Sequence, residues 1–181
     1  MPAEISQLLS GIDANRSAPD HGDMTPPTDA DWMRLALYEA QAAANEGEVP
    51  VGALIICDGR IVGRGRNGCE RLQDATAHAE MVAITAASES LGTWRLEDCT
   101  LYVTLEPCPM CLGACLNARV KRVVYGALEP KCGACGSVVD LSAPPGYNHR
   151  IDLTGGVLAD ESSVLLKGFF RALRQRREAE S

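Results

Sequence analysis

Two cysteines three residues apart at the start of a helix constrain this chain more than any other feature. Cys108 and Cys111 lie in Pro107-Cys108-Pro109-Met110-Cys111, just after the β-rich run Thr100 to Leu105. A spacing of i, i+3 across a first helical turn puts both sulfurs on one face. The helix N-terminus stabilises negative charge there and favours the thiolates that a metal requires. Pro109, near the first helical position, loses no hydrogen bond and presets the turn. A second segment, His78-Ala79-Glu80, also stands where a loop enters a helix. If the imidazole and the two sulfurs are to share an ion, the fold must lay these two helices side by side with their N-termini together.

The rest of the pattern allows that. From Asp31 to Asn45 there is no Pro or Gly, and Trp32, Leu35, Ala36, Ala40 and Ala43 recur at helical spacing, so a helix is predicted here, capped near Thr28 or Asp29. Val51 to Cys57 and Arg60 to Gly65 flank Asp58-Gly59, a strong hairpin signal, and are read as paired antiparallel strands. A helix over 77–90, a strand over 100–105, a helix over 108–118 and a strand over 122–125 follow. This alternation implies a sheet with at least one parallel pair and covering helices. Residues 127–150 read as a long loop with at most one short helical piece, a length that in a compact domain usually serves function. The last helix spans about 159–177, and no internal repeat is present.

With 181 residues and 46% hydrophobic content, the chain can bury one sizeable core. One domain over 29–178 is expected behind a disordered extension over 1–28, a segment mixing Ser, Pro, Asp, Asn and Gly. Met24, just before Thr-Pro-Pro and the first helix, is a candidate translation start. The longest apolar stretch, Pro50 to Cys57, is too short to cross a bilayer, and no basic start with an apolar run marks export. A cytoplasmic location is the expectation, and it favours reduced thiols and metal ligation over disulfides for the eight cysteines. The net charge of −7 argues against nucleic acid only at first sight, because residues 1–31 carry −5 of it. The remainder leaves room for a local basic patch.

One imidazole and two thiolates form a three-ligand set suited to tetrahedral zinc, with the fourth position open to water as in catalytic sites. Zinc lowers the pKa of such water towards ~7. Glu80, two residues from His78, stays free to move protons. A His, a Glu two residues on and a later Pro-Cys-x-x-Cys resemble the signature of the cytidine and nucleotide deaminase superfamily. The likeness extends to Glu48-Val49-Pro50-Val51-Gly52-Ala53, Gly63-x-Gly65-x-Asn67, Thr76 to Glu80, Tyr102 to Cys108, Tyr147-Asn148-His149-Arg150 and Phe169-Phe170-Arg171. These blocks look like the bacterial tRNA-specific adenosine deaminases and together cover roughly residues 31–177.

The resemblance implies a three-layer α/β/α sandwich with a mixed five-stranded sheet, one zinc per subunit, a homodimer, and conversion of the wobble adenosine of a tRNA anticodon to inosine. It assigns His78, Cys108 and Cys111 to the metal and Glu80 to proton transfer. Asn67 and the Ala79 backbone would bind the flipped base, with Val49 and Leu105 lining its pocket. Glu129, Lys131, Asn148, His149, Phe170 and Arg171 fall where the family meets the anticodon loop. Two departures stand out: the family usually has Asp at Glu129, and Cys132 and Cys135 stand where small or polar residues are usual.

Rival readings remain open. Cys108, Cys111, Cys132 and Cys135 could form a four-cysteine structural zinc site in a non-enzymatic module, which would leave Glu80 unexplained. The same chemistry could also serve free guanine or a small nucleoside. Cys57, Cys69, Cys99 and Cys115 are read as small buried or half-buried side chains. Gly63, Gly65 and Gly68 are read as turn residues rather than a phosphate cradle. The basic stripe Lys167, Arg171, Arg174, Arg176 and Arg177 is either a solvated face or, with Phe169 and Phe170 interleaved, an RNA-facing edge.

Overall fold

Thr28 begins the fold by a reciprocal exchange with Asp31. Its hydroxyl accepts from the Asp31 N–H at 3.3 Å, and the Asp31 carboxylate accepts from the Thr28 N–H at 2.9 Å. This capping box starts helix α1 (Asp29–Asn45), as the sequence predicts. The structure is a computed structural model that describes residues 26–179, so the candidate start at Met24 and all but the last three residues of the expected tail lie outside the described residues.

Strands β1 (Gly52–Cys57) and β2 (Arg60–Arg66) follow, then the short helix α2 (Cys69–Leu72), helix α3 (Ala79–Leu91), strand β3 (Cys99–Leu105), helix α4 (Pro109–Asn117), strand β4 (Arg122–Ala127), strand β5 (Asp152–Thr154) and helix α5 (Ala159–Ala179). The sheet order is β2-β1-β3-β4-β5. β1 pairs antiparallel with β2 and β3, while β3 with β4 and β4 with β5 run parallel. The hairpin turns at Asp58 and Gly59, whose φ values of 48° and 69° are those of the turn that matches strand twist.

Period-two alternation divides the core between the two faces of the sheet. Ala53, Ile55, Leu101, Val103, Val123 and Tyr125 pack with Ala79, Ala83 and Ala87 of α3 and Leu112, Cys115 and Leu116 of α4. Leu54, Ile56, Tyr102 and Val124 pack on the other side against Trp32, Met33 and Ala36 of α1. Leu165 of α5 joins Leu37 and Ala40 there. The result is the expected three-layer sandwich, with α3 and α4 in contact on one face.

Several local readings are corrected. Gly63 and Gly65 lie inside β2, not in a turn. A Cβ on Gly65 would strike the Ala79 carbonyl and one on Gly63 the Ala83 carbonyl, so the absence of side chains lets the alanine face of α3 settle directly on the strand. The segment after β4 has no helical piece; it is a series of turns with one isolated bridge between Cys135 and Asp140. The edge strand β5 and the four-residue α2 are too short for periodicity to reveal.

Candidate metal centre and cavity

His78 and Cys108 are the N-cap residues of α3 and α4, both with extended backbone and neither making a side-chain cap hydrogen bond. Their side chains are thus free to turn towards each other. Cys111, one turn into α4, completes the group. The His78 Nδ1 lies 3.7 Å from Cys108 Sγ and 3.4 Å from Cys111 Sγ. All three donor atoms fall within 4.8 Å of one another, and this is the one His/Cys/Asp/Glu group of metal-binding size among the described residues.

The cluster fits zinc. Tetrahedral bonds of about 2.3 Å to sulfur and about 2.0 Å to nitrogen give an S···N edge of about 3.5 Å, which the observed separations bracket. Cys108 is pulled down to about 4, chiefly because Cys111 donates a hydrogen bond to its thiolate and despite burial, with His78 adding to the effect. Cys111 is held well above the usual thiol range by that same bond and by burial. The Cys108 thiolate in turn raises His78, against the opposing effect of burial. Two thiols, one half-buried and one buried, beside an imidazole form the donor set that a soft divalent cation satisfies.

Glu80, on the first turn of α3, is 4% exposed. Burial raises its pKa above the ordinary carboxylate value, with the His78 imidazole pulling the other way. It faces a cavity of about 250 Å³ lined by Glu48, Val49, Asn67, Leu105, Cys108 and Glu129, among others. Val49, Asn67, Leu105 and Glu129 of the sequence reading therefore share one space with Glu80 and the ligand cluster. Ala79 is buried and opens α3, so its N–H has no acceptor within the helix.

Other candidate residues stand apart. Lys131 is exposed on the turn after β4, where its N–H donates to Glu129 Oε1 at 2.9 Å. Asn148 accepts from Arg119 at 2.5 Å, and His149 Nε2 donates to the Val120 carbonyl at 2.8 Å. Arg119 and Val120 precede β4, whose first residues pair with the start of β3, whereas the cysteines follow the end of β3. Asn148 and His149 are therefore at the opposite end of the sheet from the ligand cluster. Phe170 is 40% exposed and stacks edge-on with Phe169, with Arg171 exposed beside it.

Cys132 is exposed at the cavity rim while Cys135 is buried, and neither belongs to the ligand group. The four-cysteine reading is thus not assembled. Cys57 and Cys69 are half-buried and Cys99 and Cys115 buried, as expected.

Sequence reasoning passed over two buried acids. Glu48, 1% exposed, accepts from Asn67 Nδ2 at 3.0 Å and from the N–H groups of Glu70 and Arg71 at 3.3 and 2.7 Å. Glu106, 2% exposed, accepts from the N–H groups of Glu129, Cys135 and Ser137 at 3.0, 2.9 and 3.1 Å, and also from the Ser137 hydroxyl. One holds each wall of the cavity. Glu106 directly precedes Pro107 and Glu48 stands two residues before Pro50, and nothing local marks either acid as buried.

Residues 28–174 match the model of the MafB19-like deaminase family. A tRNA-specific adenosine deaminase from Bacillus subtilis is 47% identical over 148 residues, spanning 82% of this chain and 92% of the relative. The chain belongs to the tRNA-specific adenosine deaminase family. A solved structure from work on tRNA:A34 deaminases that edit A to I at the wobble position of transfer RNA is 45% identical, with a TM-score of 0.72 over 75% of this chain and 98% of that one. A guanine deaminase from Bacillus subtilis is further away, at 34% identity and a TM-score of 0.55 over 82% of this chain and 95% of that one. No helix among the described residues is long and apolar enough to cross a membrane.

Proposed function

We propose that this enzyme hydrolyses the exocyclic amine of the wobble adenosine in a tRNA anticodon, giving inosine and ammonia. The observation that carries the reading is the meeting of His78, Cys108 and Cys111 with a buried carboxyl, Glu80, in a cavity of about 250 Å³. A half-open space of that size suits one base taken out of its stack rather than a duplex. Kinship to relatives named for tRNA adenosine deamination supports the substrate.

His78, Cys108 and Cys111 would hold one zinc per subunit. Zinc there supplies Lewis acidity that activates water near neutral pH. Glu80 takes one proton from the attacking water and delivers it to N1 of the adenine as C6 is attacked, then takes the second from the new C6 hydroxyl and gives it to the departing amine, leaving the C6 carbonyl and ammonia. Its burial suits this work, since a carboxyl raised above its ordinary pKa can both accept and donate. Asn67 and the Ala79 N–H bind the base edge, and Val49 and Leu105 cover its faces. Glu129 contacts the sugar; its side chain is one methylene longer than the family's usual Asp. Lys131, Phe170 and Arg171 carry the anticodon loop beyond the flipped base, and Asn148 and His149, at the other end of the sheet, meet it from the second subunit of the homodimer. Folding spans residues 29–178, and the enzyme works in the cytoplasm as a homodimer, for which exposed Val138, Val139 and Tyr147 supply apolar surface.

The test is incubation of the zinc-loaded protein with an arginine tRNA anticodon stem-loop bearing a wobble adenosine, read as inosine by mass spectrometry. The Glu80→Ala variant should keep zinc and lose turnover. Ammonia release from free guanine, with no inosine formed in the stem-loop, would overturn the reading in favour of a free-base deaminase.

A further inference from the structure

The geometry points to Glu48 as the positioning residue that fixes which hydrogen-bonding groups Asn67 presents to the base. This rests on the proposed function, in which Asn67 touches the substrate.

Glu48 arrives at the cavity through the end of α1. Gly47 adopts φ +83°, and the Glu48 N–H returns to the Ala43 carbonyl at 2.9 Å, which turns the chain sharply after the helix. The Glu48 side chain is thereby carried inward, where it is 1% exposed. Its Oε2 accepts from Asn67 Nδ2 at 3.0 Å and from the Glu70 N–H at 3.3 Å, and its Oε1 from the Arg71 N–H at 2.7 Å. Gly68, the N-cap of α2, has no side chain to satisfy that helix, so the Glu48 carboxylate caps it from another part of the chain.

The consequence for Asn67 is orientational. A carboxylate only accepts, so it binds the NH2 side of the amide and refuses the carbonyl side. On the other side, the Cys69 thiol donates to Asn67 Oδ1 at 3.5 Å. Both neighbours demand the same flip state. Asn67 is left with its second N–H and the remaining lone pair of Oδ1 for the cavity, and a base must match that pair to bind well. A Gln at position 48 would turn an NH2 group either towards the Arg71 N–H or towards both the Asn67 and Glu70 donors, so Asn67 or the α2 turn must give way.

The experiment is a double-mutant cycle on the zinc-loaded protein, with Glu48→Gln and Asn67→Ala separately and together, reading kcat and KM for the stem-loop adenosine. Glu48→Gln is expected to lower kcat/KM by roughly ten- to a hundredfold. In the Asn67→Ala background the same change should cost less than about twofold, because its target is gone. An equal fold-loss in both backgrounds would assign Glu48 to capping α2 alone and overturn the inference. So would a fully active Glu48→Gln single variant. The cycle is repeated as stem-loop affinity in a Glu80→Ala background, which needs no turnover and reads the same coupling if Asn67→Ala is too slow to assay. A parent protein that makes no inosine would instead sink the proposed function, an outcome distinct from both.

Discussion

His78 and Cys108 occupy equivalent positions on two neighbouring helices, each being the residue just before the first turn and each leaving that turn without a side-chain cap. An N-cap residue ordinarily uses its side chain to satisfy a backbone N–H. Here both are withheld from that duty, and the positive ends of two helices face the same point. Packing does the assembling: glycines of β2 let α3 lie close to the sheet, and α4 packs beside it on the same face. The ligand cluster is therefore built into the fold and is not an opportunistic surface site.

Metal content should follow that geometry. The purified protein is expected to hold one zinc per chain by elemental analysis, and His78→Ala or Cys108→Ser should lose it. Cys132→Ser should keep it, because Cys132 lies at the rim and outside the ligand group. Zinc that survived loss of His78 but not of Cys132 would contradict the three-residue site.

Glu80→Gln separates metal binding from proton transfer. The amide keeps the shape of the side chain and leaves the three ligands untouched, so zinc content should be unchanged. Turnover should fall at least about a hundredfold, the lower end of what a positioned acid and base contributes. Substrate affinity that fell in parallel would mean Glu80 serves binding instead.

How far the sequence exposes this arrangement depends on range. The helices, the Asp58-Gly59 hairpin and the parallel crossover announce themselves by local periodicity and turn chemistry, and the ligands by their spacing from helix starts. Glu48 and Glu106 do not, because their partners lie between 19 and 31 residues away and are mostly backbone N–H groups, which every residue type carries. Gly63 and Gly65 mislead for a related reason: their lack of a side chain answers a helix that follows later in the chain, not a turn at their own position. The remoteness of Asn148 and His149 from the cavity depends on which ends of β3 and β4 align, a matter of register rather than composition.

Glu106→Gln should loosen one wall of the cavity while sparing the metal. Burial alone would raise this carboxyl, yet the Ser137 hydroxyl and the N–H groups of Glu129, Ser137 and Cys135 outweigh it and hold the pKa below the usual value. An amide cannot accept all four bonds, and about 1–3 kcal/mol of stability should be lost. Hydrogen exchange should quicken at residues 129–137, with zinc content intact and KM for the stem-loop raised. Unchanged exchange there would show that the segment is held by other contacts.

Asp29 and Arg122 form a two-pronged pair, at 2.9 and 2.6 Å, that ties the start of α1 to the start of β4, and the Tyr102 hydroxyl donates to the same carboxylate at 2.8 Å. The bond from Arg122 is the largest cause holding the Asp29 carboxyl below its ordinary value of 3.8, ahead of burial, which opposes it, and the Tyr102 bond. A carboxyl depressed in the folded state contributes stability that is fully present above its unfolded pKa and is lost as the pH falls through the folded one. Asp29→Asn should therefore cost about 1–2 kcal/mol at neutral pH, a figure kept modest because both side chains are about a third exposed. The deficit relative to the parent should narrow as the pH drops below about 5, because the parent loses the same charge by protonation. Denaturant unfolding at pH 7 and pH 3.5 measures both; acid-promoted metal loss affects parent and variant alike and drops out of the difference. A deficit that stayed constant across that range would mean the hydrogen-bond geometry at position 29, rather than its charge, secures the start of α1.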